Sequence, residues 1–357
     1  MKQLASQYFN IVQRLMPKHA VRSSVGVDIS KNTCKMVELE KHGNSYKLIN
    51  WSIEPIVHGD LKQAIRTILK KLSRPTHSVK TAVFGKGTLI RYIDMPRMSV
   101  EDLKKSLTIE ADKYFPFPPD QIYTDCYVLE QREKENKISA LIAAAKKEVI
   151  NERINLLTEL GLQADFISIN SIAIANVLNV LGVHAESGKP AGHRPSESKV
   201  SAILDIGEMV SNVTILVDGL PRFTRDIFIG GYEFTRTISN TMGVSLEEAE
   251  QLKFEPGGRK DDMLNSMEAI ISNLVSELRL SFDYFANERN LLVNHLLLSG
   301  GASLLEGLAD IIGKNLETTV ESWNPMKLLS LASPISEQEV HQNAGKLGVA
   351  LGLALYS

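Results

Sequence analysis

The chain has 357 residues, and its 40 basic residues nearly balance its 42 acidic ones, for a formal net charge of -2. This length suffices for about two domains with substantial cores, and the balanced charge excludes a global basic field that would draw the protein to nucleic acid. The two distant cysteines, Cys34 and Cys126, exclude a disulfide framework and favour a reducing cytosol, and no apolar run approaches the ~18 residues of a membrane-spanning helix.

The first predicted element is a basic amphipathic arm over residues 1–22. Apolar residues recur at helical spacing from Leu4 to Met16, and four basic residues occur without any acid. Two interpretations remain open at this point. The arm packs on the protein's own body, or residues 1–20 make peripheral contact with a membrane surface or a partner.

The residues after the arm predict three strands and a helix, and the same plan returns later in the chain. The strands are predicted at residues 25–29, 34–40 and 46–53 in the first copy, and at residues 202–206, 212–217 and 222–228 in the second. In both copies an aspartate stands near the end of the first strand, Asp28 in one and Asp205 in the other. A repeat this long indicates a duplicated domain, so we expect an α/β fold of two similar lobes facing each other.

Residues 97–163 predict an α+β subdomain inserted into the first lobe. Ser99 is the predicted cap of a helix that continues to Tyr114, and two strands and a second helix follow. The polar, Pro/Gly/Ser-rich residues 184–199 predict a flexible linker. The predicted organisation is a first lobe at 23–96 and 164–183, and a second lobe at 200–357 with a helical subdomain at about 232–292.

Both aspartates lead into loops rich in hydrogen-bonding residues. Asp28 is followed by Ser30, Lys31, Asn32 and Thr33, and Asp205 by Gly207, Ser211 and Asn212. A buried carboxylate needs a positive or hydrogen-bonding partner, so acids from two lobes predict a cation or a water held between them. Either loop alone is also typical of a turn that caps its own backbone. The repetition favours a phosphate-binding cleft.

A third polar loop follows a later apolar strand. Gly300 and Gly301 end that strand, and Ser303 with Glu306 predicts a capping box for the next helix. A strand, a glycine pair and a helix N-terminus suit a phosphate, because free N–H groups and the helix dipole favour an anion. Close packing of strand and helix explains the glycines equally well.

The segments GVDISKNTCKMVEL, AILDIGEMVSN and LLLSGGASLLEGL resemble, in this order, the two phosphate loops and the adenosine motif of the actin, Hsp70 and sugar-kinase superfamily. More closely, the chain from about Val25 onward resembles the PilM family of actin-like type IV pilus assembly proteins, with FtsA as the next relative. Further similar segments are IDMPRMSVEDLKKSLTIEADKYFPFPPDQIYTDCYVL, EEAEQLK and AGKLGVALGLAL. The resemblance implies actin-like, duplicated RNase H-type lobes that flank a nucleotide cleft.

The resemblance also implies ATP and Mg²⁺ as cofactors. Asp28 and Asp205 would organise Mg²⁺ or its water, and Glu250 and Lys253 would lie beside the ribose and adenine. A charge pair on an exposed helix is the alternative for Glu250 and Lys253. The implied nucleotide-binding residues are Ser30, Lys31, Asn32, Thr33, Gly207, Ser211, Asn212, Glu250, Lys253, Gly300, Gly301 and Ser303.

Four positions depart from the family pattern, and Lys31 and Asn32 are two of them, in place of serines. Ser30 replaces a glycine and narrows the room for phosphates, and Glu208 places an anion beside them. The segment FISINSIAIAN has no acid where a sugar kinase needs its base. We therefore assign no catalytic residue and expect at most slow hydrolysis of ATP.

The resemblance further implies a protein partner. In PilM-like proteins the groove between the insertion and the first lobe receives the cytoplasmic N-terminal peptide of the inner-membrane protein PilN, so we expect a PilN-like partner, besides other pilus assembly proteins. The candidate partner-binding residues are Leu103, Leu107, Ile109, Tyr114 and Phe115, although most apolar residues of such a helix belong to its core.

The expected function is therefore that of an ATP-binding cytoplasmic scaffold, peripheral to the inner membrane, in a type IV pilus or a related type II secretion system. Two alternatives remain open on the sequence. One is an FtsA-like filament-forming protein that the basic arm anchors to the membrane. The other is a small-molecule kinase.

Overall fold

The computed structural model describes residues 23–182 and 199–356. The predicted basic arm and the predicted linker up to residue 198 lie outside these ranges. None of the described helices combines the length and the apolar character needed to cross a membrane.

The strands occur in three sheets. They are β1 Ser23–Ile29, β2 Thr33–His42, β3 Ser45–Pro55, β4 Ser78–Val83, β5 Thr88–Pro96, β6 Ile122–Arg132, β7 Lys137–Lys146, β8 Gln163–Ile169, β9 Val200–Ile206, β10 Ser211–Val217, β11 Leu220–Ile227, β12 His295–Ser299, β13 Thr319–Ser322 and β14 Ser330–Leu331.

The α-helices lie between and after these strands. They are α1 Leu61–Leu69, α2 Val100–Ile109, α3 Lys147–Glu159, α4 Asn170–Leu181, α5 Gly231–Met242, α6 Leu246–Phe254, α7 Lys260–Ser266, α8 Glu268–Arg289, α9 Leu308–Leu316, α10 Glu337–Gln342 and α11 Gly348–Ala354.

Two of the sheets repeat one topology. The first has the order β14-β3-β2-β1-β4-β8 and the second the order β11-β10-β9-β12-β13. In each, three consecutive antiparallel strands precede two strands that run parallel to the first of them. The central strands β1 and β9 are buried almost throughout, as expected for strands covered on both faces. The predicted duplication of the lobes is confirmed.

The C-terminal helix α11 joins the two lobes through one core. All its residues are buried, and it packs against β1 and α4. A Cβ atom added at Gly26 or at Gly352 would overlap a backbone carbonyl, of Ala350 in the first case and of Ala173 in the second. Gly26 therefore allows β1 to pack directly against the backbone of α11, and Gly352 allows α11 to pack directly against the backbone of α4. The surrounding cluster includes apolar residues of both large sheets.

The third sheet, of order β5-β7-β6, forms the insertion together with α2. The structure places Thr88–Pro96 in this sheet, paired with β7, whereas the sequence analysis had put residues 88–96 in the first lobe. Polar residues such as Arg91 and Asp94 interrupt the apolar pattern of β5, which hides the strand. The helix predicted to reach Tyr114 ends at Ile109, and a 3-10 turn follows it.

Candidate functional site

The two predicted metal-binding acids occupy equivalent places in the two lobes. Asp28 is one residue from the end of β1, and Asp205 is one residue from the end of β9. Lys35 of β2 donates from Nζ to Asp28 Oδ2 at 2.9 Å and to Ser30 Oγ at 3.2 Å. Its charge also acts on Asp205. Lys35, which the sequence did not indicate as a site residue, therefore binds one of the two acids directly and acts on the other through its charge.

Burial and the neighbouring charges together set the pKa values of Asp205 and Lys35. Desolvation raises the pKa of the Asp205 carboxyl to about 6, against the opposing effect of the Lys35 amine, and the Asp28 carboxylate adds to the rise. Desolvation alone would lower the pKa of Lys35, but Asp28, helped by Asp205 and Glu208, raises this pKa overall. Lys35 is thus a fixed positive charge among carboxylates, suited to a phosphate oxygen.

The first polar loop reaches the opposite lobe. The Ser30 N–H donates to the Thr33 carbonyl at 2.9 Å and closes the turn. Asn32 donates its backbone N–H to Glu208 Oε2 at 3.0 Å and its side-chain Nδ2 to Glu208 Oε1. Lys31 Nζ lies 5.6 Å from the centre of the Tyr232 ring. The loops that follow β1 and β9 are therefore in direct contact.

The second polar loop is shaped by its own backbone. A Cβ at Gly207 would lie 2.7 Å from the Val210 carbonyl oxygen, so the turn itself requires glycine. Ser211 Oγ donates to the Ile229 carbonyl at 2.5 Å, and Asn212 Nδ2 donates to Asp226 Oδ1 at 2.8 Å. These two predicted nucleotide-binding side chains are thus engaged within the second lobe.

The third loop differs from its prediction. Helix α9 begins at Leu308 after Gly307, and Ser303 Oγ donates to the Gly300 carbonyl at 2.7 Å, so the predicted capping box does not form. A short 3-10 turn, Gly301–Leu304, follows the strand instead. Gly300 has a φ of 89°, and a Cβ there would overlap the backbone of Ile206. The expected helix N-terminus at the glycine pair is wrong, because Gly300 serves the close approach of β12 to β9.

Helix α6 contributes an inward-facing lysine. Lys253 Nζ donates to Glu250 Oε2 at 2.6 Å, to the Gly231 carbonyl at 3.1 Å and to Thr235 Oγ1 at 2.9 Å. Burial lowers the pKa of Lys253, and Glu250 partly offsets this change. The alternative of an exposed charge pair is therefore excluded for Lys253, which is 3% exposed.

Lys346 is a second cleft residue that the sequence analysis did not name. Its Nζ lies 5.4 Å from the centre of the Phe254 ring, and its Cγ is 3.9 Å from where a Cβ of Gly301 would stand. Burial lowers the pKa of Lys346, and the charge of Lys35 adds to this effect. Lys346 lies within the segment AGKLGVALGLAL, which resembles the family, so this resemblance could have indicated Lys346 as a site residue.

Within residues 23–182 and 199–356, no group of three or more His, Cys, Asp or Glu side chains is placed to hold a metal ion by itself. Mg²⁺ is usually bound by one or two carboxylates together with phosphates and water. Asp28 and Asp205 are compatible with that mode.

A second site is an apolar groove of about 760 Å³ between the inserted sheet and the first lobe. Its lining includes Tyr123 and Tyr127 of β6, Leu141 of β7, Phe166 of β8 and Tyr356. Side chains alternate across a strand, so one face of β7 lines this groove while the other packs against α2. The two tyrosines of β6 are 48% and 66% exposed. The apolar groove is thus an open aromatic surface suited to a ligand.

The predicted partner-binding residues lie elsewhere. Leu103, Leu107 and Phe115 are buried in the core between α2 and the sheet, and Tyr114 packs against that core. Ile109 is 78% exposed. The structure brings none of these five to the apolar groove. An amphipathic helix turns its apolar face to its own core, and here that core lies on the opposite side of the sheet.

Comparisons with known proteins agree with this architecture. The family described as type IV pilus assembly protein PilM matches residues 26–357. A solved structure described as the PilM-PilN type IV pilus biogenesis complex is similar with a TM-score of 0.80 at 23% identity, over 93% of this chain and 97% of that chain. The ethanolamine utilization protein EutJ from Carboxydothermus hydrogenoformans is similar with a TM-score of 0.55 at 13% identity, over 98% and 97%. The fold is actin-like.

Proposed function

The chain belongs to the type IV pilus assembly protein PilM family, and from this premise we propose that it is an ATP-binding scaffold that grips a peptide of a membrane partner. The observation that carries the proposal is the apolar groove between the inserted sheet and the first lobe. Its volume and its aromatic lining suit an extended peptide rather than a small polar metabolite.

The strands beside the apolar groove add a reason for an extended peptide. β6 is an edge strand of the inserted sheet, β8 is an edge strand of the first sheet, and both contribute to the lining. Edge strands offer backbone groups for an added strand, and alternate side chains of that strand fill pockets. The similar solved structure is a complex with PilN, so we assign the occupant to the N-terminal cytoplasmic segment of a PilN-like protein.

The peptide proposal is tested by calorimetric titration of a synthetic N-terminal peptide of the cognate PilN-like protein. Tyr127→Ala removes an exposed aromatic wall of the apolar groove and should weaken binding by about tenfold or more. Ile109→Ala is the matched control, because Ile109 is exposed on the insertion outside the groove. Equal affinities for both variants and the wild type would place the peptide elsewhere.

The residues around Lys35 fit a Mg²⁺-bound adenine nucleotide. Lys35 would meet the phosphates, and Asp28 and Asp205 would orient the Mg²⁺. The predicted nucleoside side holds Glu250, Lys253, Gly300, Gly301 and Ser303, to which the structure adds Lys346. Bound ATP would favour the arrangement of the two lobes to which it binds more tightly.

Hydrolysis would be slow at most. Ser168 near the end of β8 and Asn170 at the start of α4 provide no carboxylate. The amide oxygen of Asn170 is buried without a hydrogen-bond partner among the described residues. Asp165 accepts a hydrogen bond from Ser78 Oγ at 2.5 Å at the far end of β8. Among the described residues, the start of α4 therefore offers amide and hydroxyl groups but no carboxylate in the place where a sugar kinase has its general base.

Titration of ATP with and without Mg²⁺ tests the nucleotide site. The wild type should bind ATP more tightly with Mg²⁺, and Asp205→Ala should lose this dependence. Asp283→Ala, which removes an exposed acid of α8, should behave as the wild type. ATP binding that is unaffected by Mg²⁺ and by Asp205→Ala would refute the assignment of Asp205.

The proposed place of the protein is the cytoplasmic side of the inner membrane, where the partner's peptide holds it. The competing anchor is the basic arm at residues 1–20. Liposomes that carry the partner should retain a variant lacking residues 1–20, and bare liposomes should retain neither form. Loss of all retention on deletion would favour the FtsA-like anchor instead.

A further inference from the structure

A carboxylate joins the two polar loops across the lobes. Glu208 Oε2 accepts the backbone N–H of Asn32 at 3.0 Å, and Glu208 Oε1 accepts from Asn32 Nδ2. Asn32 lies between β1 and β2, and Glu208 lies between β9 and β10. The two residues therefore form a hydrogen-bonded contact between the lobes. Each of them belongs to a loop that we assign to phosphate binding.

The backbone of the second loop fixes the position of Glu208. The Glu208 carbonyl accepts the Tyr232 N–H at 2.8 Å, and the Gly207 carbonyl accepts the Gly231 N–H at 2.9 Å. Both donors belong to the first turn of α5, so the loop is tied to the start of a helix. The carboxylate of Glu208 is thus presented to Asn32 from an anchored turn.

Glu208 makes the contacts that a phosphate oxygen would make at this place. It accepts a backbone N–H and a side-chain N–H from Asn32 of the first loop. Charge-assisted bonds from loop N–H groups and lysines are the interactions by which such loops hold phosphates. Two anions do not share these donors without repulsion.

We propose that Glu208 and Asn32 form a latch that competes with the nucleotide phosphates. In the nucleotide-free chain the Glu208 carboxylate holds the Asn32 donors and ties the lobes together. Phosphate binding displaces it, so the measured affinity is reduced by the fraction of molecules in which the latch is closed. This inference rests on the proposed nucleotide site and adds a built-in competitor to it.

The competition is tested by titrating ATP and Mg²⁺ into wild type, Glu208→Ala and Glu208→Gln. Both variants should bind ATP more tightly, Glu208→Ala by about fivefold. The second variant preserves the side-chain size in case the first folds poorly. Glu268→Ala removes an exposed acid of the same lobe at the start of α8 and should leave the affinity unchanged, which controls for net charge.

A second measurement needs no nucleotide. Amide hydrogen exchange at Asn32 in the nucleotide-free protein should be faster in Glu208→Ala than in the wild type, and unchanged in Glu268→Ala. Equal exchange rates at Asn32 in all three proteins would overturn the latch.

The outcomes separate this inference from the proposed function. Equal ATP affinity of wild type and Glu208→Ala overturns the competition while the nucleotide site stands. Weaker binding by Glu208→Ala also overturns it, because Glu208 would then help to hold the metal or the phosphates. ATP binding by none of the proteins refutes the nucleotide site itself, and the exchange of Asn32 still decides whether the latch forms.

Discussion

Lys35 is the residue on which the charge balance of the cleft depends. Its amine is the ion-pair partner of Asp28, and the side-chain exposures are 16% and 4%. Removing one member of a buried pair leaves an uncompensated charge, which costs more than the pair contributes. Lys35→Met should therefore lower the free energy of unfolding by about 3 kcal/mol in urea titrations. Lys62→Met, which breaks an exposed pair with Glu159, should change it by less than about 1 kcal/mol.

Asp205 gives the protein a measurable pH dependence. Desolvation raises the folded-state pKa of Asp205 to about 6, above its ordinary value of 3.8. The folded chain thus holds this proton more tightly than the unfolded chain, so stability falls as pH rises from about 4 to 6. In magnesium-free buffer, the free energy of unfolding of Asp205→Asn should exceed that of the wild type by roughly 3 kcal/mol above pH 6, and this difference should fade below pH 4. A difference that is constant with pH would contradict this assignment.

At the residue scale, the sequence pattern predicted Asp28, Asp205 and Lys253, but it did not indicate Lys35 or Lys346. Asp28 and Asp205 were predictable because a costly carboxylate recurs at one position of a repeated pattern. Lys35 and Lys346 were missed, because a lysine in a strand or a short turn is usually exposed and only packing turns it inward. The engaged side chain of Asn212 was unpredictable for the same reason, since its partner Asp226 lies on another strand.

Helix α11 is the element with the least tolerance for change. Its residues are buried throughout. A Cβ atom added at Gly352 would lie 1.9 Å from the backbone carbonyl oxygen of Ala173, which is far closer than van der Waals contact. Gly352→Ala should therefore force α11 from α4 and destabilise the fold by at least about 3 kcal/mol. Gly258→Ala is the control, because nothing lies within 4 Å of its added Cβ. Similar thermal midpoints for the two variants would show that the packing relaxes at little cost.

Element types were more predictable than the faces that elements present. The periodicity of α2 predicted an amphipathic helix, and its N-cap bond to Ser99 is present. Helix α2 covers the sheet face that carries Ile138, Ala140 and Ile142 of β7, and this choice of face depends on packing between elements that are distant in the sequence. The resemblance implied a groove between the insertion and the first lobe, and the apolar groove lies there. Its lining comes from the sheet face opposite α2, so the five predicted partner-binding residues are not part of it. The box of Ser303 and Glu306 failed similarly, because Gly300 must first pack against β9.

At the scale of the whole molecule, the apolar groove has walls from both lobes and the insertion. Leu220 and Pro221 at the start of β11 contribute to its lining, together with residues of β6 and β8. The insertion is also tied to the second lobe, because Arg222 donates to Glu130 Oε2 at 2.6 Å and to Ser139 Oγ at 2.9 Å. A shift of one lobe against the other therefore changes the width of the groove.

This architecture links the two proposed ligands. A nucleotide that favours one lobe arrangement must change the affinity for the peptide, and the peptide must change the affinity for the nucleotide by the same factor. We expect that factor to be about fivefold, measured by titrating peptide with and without saturating ATP and then the reverse.

Arg222→Ala should move this coupling factor towards one while leaving each ligand bound, because it loosens the tie between the insertion and the second lobe. Arg236→Ala, which breaks only an exposed pair with Glu233, should preserve the factor. A coupling factor of one in the wild type would mean that peptide and nucleotide bind independently of each other.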